Sequence, residues 1–140
     1  MSAPEDDTRL WLIKAASDLM AAQRLIDIEP LILDAACFHC QQAAEKSLKA
    51  FLVHKSVRFD KTHNLAYLLG LCAPHDQQFN SLVELGDLLT PYAVEVRYPG
   101  DALAPPLEEA QEALKAANTI WDFVLARIPS EHHPSSNPSS

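Results

Sequence analysis

A chain of 140 residues suits one domain, long enough to bury a core without disulfide staples, and an apolar share of 48% favours a folded globule. Only 3 glycines argue against a turn-rich all-β design, and no apolar run reaches the roughly 18 residues needed to span a bilayer. The net charge of -8 excludes indiscriminate binding to nucleic acid, which is dominated by cations meeting phosphates, and 3 cysteines, an odd number, fit a reducing, cytoplasmic compartment.

Residues 1–8 are polar and acidic, without the basic start and apolar middle of a signal peptide. They are expected to form a flexible N-terminus, with Asp7 or Thr8 as the cap of a first helix. Trp11, Ala15, Leu19, Ala22, Leu25 and Ile26 then recur at helical spacing until Glu29-Pro30 interrupts. The next helix runs to about Lys55, with Cys37, Cys40, Ala44, Leu48, Phe51 and Leu52 on one face and His39, Gln42, Lys46 and Lys49 along another. Gln41 falls inside the apolar sector, with Glu45 at its edge. Such groups need hydrogen-bond partners from another segment, a second subunit or a ligand.

A loop from Ser56 to Lys61 leads into Thr62-His63-Asn64-Leu65, where Thr62 is suited to cap a helix striped by Leu65, Leu68, Leu69 and Cys72. Pro74 ends that helix, and Asp76 caps the next, whose Phe79, Leu82, Val83, Leu85, Leu88 and Leu89 give an apolar face before Thr90-Pro91. Residues Tyr92 to Pro106 read as irregular. A last helix starts around Leu107, with Ala110, Leu114, Ala117, Trp121, Val124 and Ile128 in one stripe and early glutamates matching the positive helix N-terminus. Residues 129–140 are too polar to pack and are expected to be a disordered tail, in which His132 and His133 are given no role. The periodicity predicts an all-α, up-and-down bundle of four to five helices over 9–128.

Two features carry chemistry. Between Glu45 and His63 the basic residues Lys46, Lys49, Lys55, Arg58 and Lys61 are offset only by Glu45 and Asp60, so the positive potential of an acidic chain is concentrated there. Cys37 and Cys40 form a Cys-x-x-Cys around His39, but inside a helix and without two further ligands at matched spacing. They read as small buried residues, and neither a metal nor another cofactor is expected.

The run Gln41-Gln42-Ala43-Ala44-Glu45-Lys46-Ser47-Leu48-Lys49-Ala50, then Lys61-Thr62-His63-Asn64-Leu65, then Tyr92 with Arg97-Tyr98-Pro99, resembles a HEPN domain, and the likeness extends from roughly Arg9 to Arg127. The resemblance implies a small helical bundle, commonly a homodimer, engaged in nucleotide or RNA transactions. It also implies a minimal nucleotidyltransferase as partner in a toxin–antitoxin-like system. Arg58 and His63 match the Arg-x4-6-His hallmark of ribonucleases in that group, but not its usual place at a late helix. After Arg97, where that place falls, the residues five to seven on are Ala102, Leu103 and Ala104.

His63 is therefore read first as structural, bridging to Gln41 or Glu45 together with Thr62. The expected function is a non-catalytic module that binds a nucleotide or RNA through Lys46, Lys49, Arg58, Lys61, Arg97 and Tyr98. The alternatives are a metal-independent ribonuclease using Arg58 and His63, and a pure protein-interaction scaffold. Gln41, Glu45, Lys46 and Lys49 are candidates for the polar edge of a dimer interface.

Overall fold

The computed structural model describes residues 4–94 and 104–134, the side chains from Asp7 onward, and among these five α-helices and no strand occur. They are α1 (Pro4–Asp27), α2 (Leu33–His54), α3 (Leu65–Cys72), α4 (Val83–Leu89) and α5 (Leu107–Leu125). Short 3-10 turns cover Gln77–Leu82, Thr90–Ala93 and Ser130–His132. The all-α bundle expected from periodicity is the architecture found. None of the described helices is long and apolar enough to cross a membrane.

α2 is the axis of the bundle. It lies along α1 over most of its length and also contacts α5, α3 and α4. Being surrounded, it is buried on nearly every side: Ala36, Cys37, Cys40, Ala43, Ala44, Leu48, Ala50, Phe51 and Leu52 all join the core. The many alanines let neighbouring helices approach closely, while Phe51 fills the far end against Phe79, ring centroids 4.6 Å apart.

The end of α2 sets the course of the next loop. Ser56 takes a left-handed backbone, φ 57, while its N–H donates to the Val53 carbonyl at 3.0 Å and the Val57 N–H to the Leu52 carbonyl at 2.9 Å. These are the paired hydrogen bonds of a Schellman stop, with serine where glycine is usual. The chain then returns along α2, packing Val57 and Phe59 on the core.

Several boundaries differ from the sequence reading. α1 starts at Pro4, so Asp7 and Thr8 lie inside the helix rather than capping it, and Thr8 is buried. Asn64, not Thr62, caps α3 by accepting the Tyr67 N–H at 3.2 Å, and Thr62 instead accepts the Asn64 N–H at 3.0 Å. Asp76 does cap, accepting the Gln78 N–H at 2.9 Å, but it opens a 3-10 turn that passes into α4.

Residues 129–134, expected to begin the disordered tail, pack on the bundle. The His133 Nε2–H donates to the carbonyls of Leu125, the last residue of α5, at 3.0 Å and of Ile128, just beyond it, at 2.7 Å. Arg9 donates to the Glu131 carbonyl, which ties the two ends of the chain together.

Candidate functional site

The polar residues of α2 gather around a buried carboxylate. Gln41, Glu45 and Lys49 follow at intervals of four, one above another on the helix, and all three are buried. Glu45 Oε2 accepts from Lys49 Nζ at 2.8 Å, and Oε1 accepts from Gln41 Nε2 at 3.2 Å and His63 Nδ1 at 2.7 Å. Gln41 Nε2 also donates to the His63 carbonyl at 2.9 Å, so side chain and backbone of His63 are both held to α2.

Burial alone would push the Glu45 carboxyl upward, yet hydrogen bonds from Lys49, His63 and Gln41, with the Lys49 charge, hold it below the ordinary glutamate value. An ionised carboxylate only accepts, so His63 Nδ1 carries the proton of this bond. The other ring nitrogen, Nε2, has no hydrogen-bond partner among the described residues. The His63 side chain is 64% exposed, against 5% for Glu45. A buried carboxylate thus fixes an exposed imidazole.

The Lys49 ammonium is also flanked by two rings, Trp11 at 5.5 Å and Phe59 at 5.6 Å from the centroids, which meet edge to face at 6.5 Å. Both aromatics supply negative π faces where water would otherwise solvate the cation. Above this knot opens a cavity of about 360 Å³ lined by Lys49, Lys61, Thr62 and His63.

The structure therefore gathers Gln41, Glu45, Thr62 and His63, the expected structural motif, with Lys49 and Lys61 beside them. It separates others. Lys46 turns to α1, where Nζ donates to Asp18 Oδ2 at 2.7 Å while His39 Nδ1 meets Asp18 Oδ1 at 2.8 Å. Lys46 is thus a paired cation in the α1–α2 seam, and the polar side of α2 is roofed by α1 rather than solvated.

Arg58 is exposed on the loop, makes no hydrogen bond or ion pair among the described residues, and does not line the cavity. Gln41, Glu45 and Lys49 are buried and hydrogen-bonded within the chain. Arg97 and Tyr98 lie outside the described residues.

Asp18, Trp11 and Phe59 were not singled out from the sequence as site residues. The signal for Asp18 was present: it shares the inward stripe of Ala15 and Ala22, a charge in an apolar register like Gln41 on α2. Phe59 is the one aromatic in the basic loop. Nothing local says that it folds back over Lys49.

The family model described as HEPN domain matches residues 8–128. The crystal structure of TT1696 from Thermus thermophilus is similar at 32% identity, covering 88% of this chain and 99% of that one, with a TM-score of 0.73. The structure of ST0689, an archaeal HEPN homologue, is similar in fold at 22% identity, covering 91% of this chain and 98% of that one, with a TM-score of 0.70. No curated protein matches the chain.

Proposed function

This chain belongs to the HEPN domain family, and on that premise we propose that it is a non-catalytic module that holds a phosphate-bearing ligand, a nucleotide or RNA, in the cavity over His63. In this reading it pairs with a second copy of itself and works with a minimal nucleotidyltransferase in a toxin–antitoxin-like system. The observation that carries the ligand site is the Glu45–His63 hydrogen bond of 2.7 Å beneath an opening lined by two lysines. Glu45 neutralises Lys49, leaving Lys61, the Thr62 hydroxyl and, in the imidazolium form of His63, its Nε2–H to donate to phosphate oxygens. Self-pairing draws support from α1, where the apolar side chains Leu10, Ile13 and Met20 are 52%, 44% and 55% exposed.

Metal-independent RNA cleavage by Arg58 and His63 is the second reading, and the same hydrogen bond favours it. With Nδ1–H committed to Glu45, a neutral His63 offers Nε2 to take a proton from a 2'-hydroxyl. Arg58 lies off the cavity lining, so binding stands first.

The two part in one experiment. A mixed single-stranded RNA is incubated with purified protein in excess chelator, and bound fraction and product lengths are followed for wild type, Arg58→Ala, His63→Ala and Arg97→Ala, each checked for helicity. Binding without new RNA ends is expected. Cleavage lost in both the Arg58 and His63 variants would put the second reading in place of the first, and neither binding nor cleavage would leave a protein-interaction scaffold.

A further inference from the structure

Next to the His63 cavity lies a second recess, of about 290 Å³, lined by Asp60, Lys61, Thr62, Asn64 and Tyr67. The two openings share Lys61 and Thr62 and so abut. The loop is bent around Tyr67: its Oη accepts the Asp60 N–H at 3.2 Å, while its own N–H is capped by Asn64. Tyr67 is 37% exposed, which leaves ring surface facing the recess. The Asp60 carboxylate makes no hydrogen bond or ion pair among the described residues, so the loop presents an acceptor beside an aromatic face.

A phosphate cavity, a ridge of lysine and threonine, and a recess holding a ring and a carboxylate match the order of parts in a nucleoside phosphate. Aromatic rings accept any base by stacking, so Tyr67 gives affinity without choice. The carboxylate makes the choice. It can only accept, and guanine is the common base whose Watson–Crick edge places two N–H donors side by side, at N1 and N2. Adenine and cytosine set a ring-nitrogen acceptor beside their amino group, and uracil flanks its one N–H with two carbonyls, so each would aim a lone pair at Asp60. Resting on the phosphate-binding reading above, we infer that the recess is a base subsite and that the ligand is a guanosine phosphate, free or within an RNA strand, with Asp60 as the specificity-determining residue.

Calorimetric titration of the full chain with GMP, AMP and ribose 5-phosphate tests this. GMP should bind at least about tenfold tighter than AMP, the usual worth of a two-point contact to a base edge. Asp60→Asn should erase that preference while binding ribose 5-phosphate at least as tightly as the wild type, since a negative charge beside the phosphate site is lost. Asp60 is exposed, so its variant is not expected to disturb folding.

Ribose 5-phosphate binding with equal affinities for GMP and AMP, or a preference that survives in Asp60→Asn, would overturn the guanosine assignment and leave the phosphate site standing. Binding of none of the three would overturn both. Displacement of GMP by a uridine oligomer carrying one guanosine, but not by an all-uridine one, would assign the ligand to RNA. Displacement by neither would assign it to the free nucleotide.

Discussion

Glu45 sits at 4% exposure in an ion pair with the buried Lys49, so removing Glu45 leaves the ammonium without its carboxylate. Glu45→Ala is expected to lose about 3–5 kcal/mol, the usual penalty for breaking one side of a buried ion pair, measured by urea unfolding. The pH dependence has a definite sign. Because the folded-state carboxyl lies below its ordinary value of 4.5, its contribution is fully present above that value and is lost as pH falls through the folded value. Melting curves taken from neutral pH downward should show this loss in the wild type and less of it in Glu45→Gln.

The thiols make a second residue-level case: burial pushes Cys40 and Cys72 up to about 12, with Cys37 adding to the Cys40 shift. All three cysteines are buried, and none is in a disulfide. A thiol reagent at neutral pH should leave them unmodified in the native chain and label them after unfolding. At this scale Gln41 and Glu45 were legible as polar intruders in an apolar register. Lys49 was not, because its burial depends on Trp11 and Phe59 arriving from two other segments.

Between elements, Phe79 joins the 3-10 turn to two of the three long helices, α2 and α5. Its ring lies 4.6 Å from Phe51 of α2 and 4.9 Å from Phe123 of α5, with no exposed surface of its own. Phe79→Ala should cost about 3–5 kcal/mol, since the rigid helices on both sides collapse poorly into the space left. Ser56 gives the opposite sign. Its φ of 57 lies in the left-handed region, so Ser56→Gly should raise stability by about 1 kcal/mol and leave the loop in place, as seen by denaturant midpoint.

Apolar spacing located every helix, but its ends were harder to read. Thr62 and Asn64 are both good caps, and which one serves is decided by where Leu65 must enter the core. The turn at Gln77–Leu82 read as helix because 3-10 and α geometries bury Phe79 and Leu82 alike. His133 was unreadable in a polar tail because the carbonyls it meets lie at the end of α5 and just beyond it.

For the whole molecule, the charge balance puts few cations to use. Of the basic cluster read from the sequence, Lys46 and Lys49 are consumed by Asp18 and Glu45, which leaves Lys55, Arg58 and Lys61 as its exposed members. An acidic chain with so small a positive area should bind anions at one place and weakly elsewhere. Self-association belongs to this scale too. If the apolar side of α1 is the contact, Met20→Asp should shift the light-scattering mass from dimer to monomer without loss of helicity, since Met20 touches solvent rather than core.

The most direct measurement is the salt dependence of binding to a labelled single-stranded RNA, followed by fluorescence anisotropy for wild type, Lys61→Ala, His63→Ala and, as a control that lines neither opening, Lys14→Ala. Lys61→Ala should weaken binding and lower the slope of log affinity against log salt by about 1, His63→Ala should weaken it, and Lys14→Ala should leave it unchanged. Equal affinities and slopes in all four proteins would contradict a phosphate site built on Lys61 and His63.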